Sequence, residues 1–101
     1  MPAYAIFIRE GEIFNHEEMA LYQSANRSAA PTVPVKPLVV YGSMEALEGD
    51  APDGMVMLQF DSMDDARTWY NDPLYQAASE HRKKAAHYRA FLVEGFSPPS
   101  A

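Results

Sequence analysis

The sequence predicts an α+β fold of the ferredoxin-like type, β-α-β-β-α-β, with a four-stranded antiparallel sheet and two helices on one face. Three observations predict it. Four short apolar runs, each closed by a turn signal, alternate with two stretches of helical periodicity in that order. The chain has 101 residues, which reads as one domain over residues 1–96 with a frayed tail over residues 97–101. The strands are apolar on both alternating faces, so the sheet face without helices would be wet in a monomer. A two-fold dimer packed sheet to sheet is the expected cover.

Each element has a local cause. Tyr4-Ala5-Ile6-Phe7-Ile8-Arg9 reads as the first strand, broken by Glu10-Gly11-Glu12. Asn15 offers an N-cap with Glu18 three residues on, an approximate capping box. From Glu17 the pattern is helical, with Leu21, Tyr22, Ala25 and Ala29 on one stripe and Gln23 and Arg27 opposite. Pro31, Pro34 and Pro37 make Ala30 to Leu38 an extended connection, because proline removes a donor and restricts the residue before it. Leu38-Val39-Val40-Tyr41 is the second strand. Gly42 stops it, and Met44 to Leu47 is expected to extend it beyond a bend. Glu48 to Gly54 is a turn cluster. Met55-Val56-Met57-Leu58-Gln59-Phe60 is the third strand and the most apolar.

Ser62 caps the second helix, and Asp64 and Asp65 suit its positive end. Asp72-Pro73 re-caps it, so the helix is expected to kink or restart there before running to about Ala86. Ala90-Phe91-Leu92-Val93-Glu94 is the fourth strand, ending at Gly95.

Composition removes several function classes. The net charge is −6, against the basic footprint that nucleic acid requires. The only dense basic stretch, Arg82-Lys83-Lys84, reads as a solvated helix face. No apolar run approaches the ~20 residues of a membrane span, and no signal peptide is visible. With no cysteine, disulfides, thiolate nucleophiles and zinc–sulfur sites are excluded. A cytoplasmic protein with neither nucleic-acid nor membrane partner is the expectation. His16, His81 and His87 form no metal-ligand spacing, and no glycine-rich phosphate loop is present. Neither a metal nor a bound cofactor is expected.

The ordered set of Tyr22, Leu47-Glu48-Gly49-Asp50, Phe60-Asp61-Ser62-Met63, Ala66, Trp69-Tyr70, Pro73, Tyr75-Gln76 and Leu92-Val93-Glu94-Gly95 resembles domain of unknown function 1330. That resemblance implies a dimeric α+β barrel, hence a homodimer through the open sheet face. It implies no reaction. Family members often carry an arginine and paired glycines at the end of the second strand. Tyr41-Gly42-Ser43 stands here instead, which implies a lost or altered ligand if that arginine binds an anion in relatives.

The candidate site lies under the second half of the second helix. At 100° per residue, Leu74, Ala78 and Ala85 define its apolar face, with His81 at one edge and Tyr75 and Arg82 at the other. The small alanines leave room between helix and sheet. Tyr75, His81 and Arg82 are therefore the candidate catalytic residues, and Tyr22, Tyr41, Trp69 and Glu94 the candidate pocket residues. Such a group could orient and polarise a small hydrophobic carbonyl or phenolic compound in an isomerase, cyclase, lyase or monooxygenase reaction. The competing reading is a non-catalytic dimeric module that binds a ligand or serves a stress response. In that reading Tyr75 covers the core, Arg82 lays its stem along the helix edge, and Glu94 points to solvent. Rotation of the helix after Pro73 decides whether His81 or Arg82 faces inward.

Overall fold

The computed structural model describes residues 1–96, so the expected tail lies outside the described residues. The elements are β1 (Ala3–Arg9), α1 (His16–Ser28), β2 (Lys36–Val40), β3 (Gly54–Phe60), α2 (Met63–Tyr70), α3 (Pro73–Ala85) and β4 (Tyr88–Glu94). The four strands form one sheet in the order β2-β3-β1-β4, and every neighbouring pair is antiparallel. The ferredoxin-like α+β class predicted above is the class found.

Directly paired residues share a sheet face. Ala3, Ala5 and Phe7 of β1 stand opposite Phe60, Leu58 and Val56 of β3, and opposite Glu94, Leu92 and Ala90 of β4. The β1 side of this face is buried under the helices, where Ala3, Ala5, Phe7, Phe60, Ala66 and Tyr75 form the main core. The opposite face carries Tyr4, Ile6 and Ile8 beside Met55, Met57, Phe91 and Val93. No helix covers it, and Phe91 and Val93 are exposed there.

Capping follows the sequence in most places. Asn15 Oδ1 accepts from the Glu18 amide at 3.0 Å, and Ser62 Oγ accepts from the Asp65 amide at 3.1 Å. The box at Asn15 is only half made, because the Glu18 carboxylate turns to His81 instead. The second helix restarts at Asp72, whose Oδ1 accepts from the Leu74 amide at 2.8 Å, with Pro73 as the first helical residue.

Three expectations are corrected. The second strand begins earlier, at Lys36, and takes in Pro37. It is an edge strand with an irregular register between Pro37 and Val39, where a missing donor is tolerated. It does not continue through Met44 to Leu47. The Tyr41 amide donates to Met55 O at 2.8 Å, and Tyr41 then takes the left-handed conformation, φ 52°, which turns the chain off the sheet.

The third correction is helix rotation. On α1 the inward position belongs to Met19, and Leu21 is half exposed. On α3 the buried residues are Tyr75, Ala78, Ser79, Arg82 and Ala85, while Leu74 is 62% exposed. The predicted apolar face was therefore turned by part of a step. Packing of α3 on α1 sets the true rotation: Ala85 O accepts from the Phe14 amide at 2.9 Å, and His81 Nδ1 lies 2.6 Å from Glu18 Oε2.

Candidate functional site

Between α1, the rim of β2 and the helix-bearing face of the sheet lies a cavity of about 480 Å³. That volume is in the usual range for small-molecule sites, roughly 300–1,000 Å³. Phe7, Met19, Val56, Leu58 and Trp69 make the apolar walls. Tyr22, Tyr88 and Arg82 supply polar groups at its inner side, Tyr41 stands exposed at its rim, and Gln23, Asn26 and Arg27 of α1 stand along its edge.

The aromatic wall is organised by Trp69. Its ring lies 4.2 Å from Tyr75, 5.4 Å from Phe60 and 6.0 Å from Phe7, centroid to centroid. Offset and edge-on pairs of this kind add about 0.5–1.5 kcal/mol each beyond area burial. The break at Asn71-Asp72 makes the cluster possible. It lets α2 end with Trp69 over the sheet while α3 restarts with Tyr75 turned back onto that ring.

Arg82 is the unusual residue. It is only 4% exposed, and its guanidinium carbon lies 5.3 Å from the Phe7 ring centre and 5.1 Å from that of Tyr88. The two rings offset part of the cost of burying a charge. Among the described residues no carboxylate pairs with it, and its Nε has no hydrogen-bond partner. The hydroxyl of Tyr75 is likewise buried without a partner.

Tyr22, Tyr75 and Tyr88 are held neutral. Burial pushes the Tyr22 hydroxyl well above the usual phenol range, Tyr75 adds to this, and Arg82 opposes it. Burial also raises Tyr75, again against Arg82. Tyr88 is raised by burial and by its hydrogen bond to Tyr41, whose hydroxyl is 2.7 Å from its own. Tyr41 reaches this partner only from its left-handed backbone and because residue 54 is glycine. A Cβ on Gly54 would stand 3.0 Å from Tyr41 Cδ1 and 3.1 Å from Arg9 Nε. An aromatic residue held in the left-handed region is a site of stored strain, and such strain gathers at ligand sites.

The residues named from sequence divide into two groups. Arg82, Tyr22, Tyr41 and Trp69 all line the cavity. Tyr75 lies behind its wall, on a small separate hollow with Trp69 and Asp72. His81 faces α1 and holds Glu18, away from the cavity, because one residue of helix rotation separates it from the inward position taken by Arg82. Glu94 is exposed at the end of β4. The run Arg82-Lys83-Lys84 is split the same way: Lys83 and Lys84 are exposed, and Arg82 is not the solvated residue expected.

Sequence reasoning missed Tyr88, Met19 and the α1 edge. Tyr88 was readable by alternation, since Tyr88, Ala90 and Leu92 lie on the helix-bearing face opposite Arg9, Phe7 and Ala5. The strand was started at Ala90, two residues late. Gln23 and Arg27 were assigned to solvent, but an edge of α1 opens onto the cavity. Among the described residues, no three His, Asp or Glu side chains gather as a metal site. No helix there is long and apolar enough to cross a membrane.

The family model for domain of unknown function DUF1330 matches residues 2–96. The chain belongs to the DUF1330 family. No curated protein matches it at a significant level. Solved structures resemble this DUF1330 chain at low identity. A protein of unknown function from Rhodopseudomonas palustris is 16% identical with a TM-score of 0.67, covering 96% of this chain and 84% of that one. A dimeric ferredoxin-like protein of unknown function from Thermobifida fusca is 16% identical with a TM-score of 0.58, over 92% of this chain and 90% of that one. SnoaB, a cofactor-independent oxygenase from Streptomyces nogalater, is 10% identical with a TM-score of 0.50, over 96% of this chain and 93% of that one. At these identities the likeness is one of fold.

Proposed function

We propose that this DUF1330 protein is a small-molecule enzyme without metal or bound cofactor, acting in the α1–sheet cavity on a hydrophobic carbonyl or phenolic compound. The observation that carries the reading is the convergence of a buried, unpaired Arg82 with Tyr22, Tyr41 and Tyr88 on one apolar hollow of about 480 Å³. A fixed cation and phenol donors on the apolar wall of the hollow stabilise negative charge developing on a substrate oxygen. Arg82 takes the leading role. Tyr22 donates beside it, Tyr75 backs both, and Trp69 and Tyr41 wall the substrate. The cofactor-independent oxygenase of similar fold supports this class of chemistry by analogy only.

Among the described residues no Asp, Glu or His lines the cavity, so none is placed there to abstract a proton. That favours oxygen polarisation over general-base chemistry within the enzyme reading. It also supports the second reading, a ligand-binding module without turnover. Dimerisation through the open sheet face belongs to both readings, and the dimeric relative of similar fold supports it.

Incubation with a panel of phenols and enolisable carbonyl compounds tests the proposal, with substrate loss followed by mass spectrometry. Turnover that falls at least tenfold in both Arg82→Gln and Tyr22→Phe is the expected result. Full activity in both variants would sink the assignment. Saturable binding without turnover of any compound would favour the second reading.

A further inference from the structure

The chain carries 14 acidic and 8 basic residues, yet no acidic residue lines the cavity while two arginines do. Arg27 stands at the exposed edge and Arg82 at the buried side. In a protein of net charge −6 this is a local inversion of sign. A buried guanidinium without a counter-ion is costly, and here only two aromatic faces compensate it. The neighbouring hydroxyl of Tyr22, and whichever of the paired Tyr41 and Tyr88 hydroxyls does not donate to the other, can donate to an anion. Everything polar at the inner side of the hollow is therefore a cation or a potential donor.

We propose that the ligand is a monocarboxylate with a compact apolar or aromatic body, its carboxylate held by Arg82 and its body packed on Phe7, Leu58 and Trp69. The inference rests on the second reading above, a ligand site without turnover, because a guanidinium committed to a carboxylate is not free to polarise another oxygen, and it adds the charge of what the site takes. A planar guanidinium matches a carboxylate through two parallel hydrogen bonds. A phosphate is the poorer fit. It carries more charge than one buried arginine neutralises. The chain's single tryptophan, Trp69, lines the same cavity, so its fluorescence reports occupancy.

The test uses two matched pairs of probes on the full chain: 4-phenylbutyrate against 4-phenylbutyramide, and 4-hydroxyphenylacetate against 4-hydroxyphenylacetamide. Affinity is measured by calorimetry and occupancy by Trp69 emission. The expected result is that each carboxylate binds at least tenfold tighter than its amide, about 1.4 kcal/mol. Arg82→Lys should keep part of that preference, and Arg82→Gln should erase it while the amide still perturbs Trp69. Equal binding of acid and amide by the unsubstituted protein overturns the inference and leaves the ligand cavity standing. So does a preference that survives Arg82→Gln. If no member of either pair perturbs Trp69, the cavity reading fails and the inference fails with it.

Discussion

Replacing Tyr75 with phenylalanine removes one oxygen and leaves the ring. The hydroxyl is buried and meets no hydrogen-bond partner, although Tyr22 and Arg82 flank it closely enough to act on its ionisation. A buried polar group without a partner costs about 1–3 kcal/mol. The Trp69–Tyr75 stack at 4.2 Å does not involve the oxygen, so the substitution retains it. Tyr75→Phe should therefore stabilise the fold by about 1 kcal/mol, the low end of that range because water lost from the unfolded hydroxyl is partly offset by the nearby Arg82 charge. For a domain of this size that is a rise in Tm of roughly 4–8 °C. The assay is thermal and urea unfolding at one fixed protomer concentration, since an associating protein has a concentration-dependent midpoint. A loss of about 1 kcal/mol would refute the reasoning. It would mean that the hydroxyl is bonded to Tyr22 or Arg82 in solution and that the cluster is a satisfied network.

Three other outcomes are expected. Tyr22, Tyr75 and Tyr88 are all raised, first by burial, so these three hydroxyls keep their protons in folded and unfolded chains alike below about pH 10. Above it these tyrosines ionise first in the unfolded chain and stability falls with rising pH, by up to about 1.4 kcal/mol per pH unit for each of the largely buried Tyr22 and Tyr75 and by less for the half-buried Tyr88. In a tyrosinate absorbance titration these three of the six tyrosines should ionise late, with unfolding, and a titration in which all six ionise together near pH 10 contradicts this. Asp72→Ala removes the cap of α3 and should cost about 0.5–2 kcal/mol in urea unfolding, with a blue or red shift of Trp69 emission as Tyr75 loses its footing; unchanged stability and emission count against the cap as the positioning device. Met57→Asp places a charge in the middle of the uncovered sheet face and should convert a dimer to a monomer in sedimentation velocity. A dimer that persists at micromolar concentration removes this face as the interface.

The order of elements was legible because it depends on local physics. Apolar runs, Asn15 and Ser62 as caps, and the Asp72-Pro73 restart act over a few residues, and each is written in the chain. The family could be read from the same kind of ordered, short strings. The site was only half legible. Tyr22, Tyr41, Trp69 and Arg82 were named from helix faces and strand ends, and they do line one cavity. Tyr88 was lost to a strand boundary set two residues late. Gln23 and Arg27 were lost because a polar residue on a helix reads as solvated whether it faces bulk water or a hollow.

What sequence alone determined, then, was the class of fold and its caps and breaks. Tertiary structure decided the rotation of α3 about its axis. A step of 100° separates His81 from Arg82, and local propensity is indifferent between them. The choice came from partners on other elements: Glu18 on α1 holds His81 outward, while Phe7 on β1 and Tyr88 on β4 receive the guanidinium between their rings. Two of those contacts, Glu18 with His81 and Phe7 with Arg82, join residues far apart in the chain, and no window of neighbouring residues contains them.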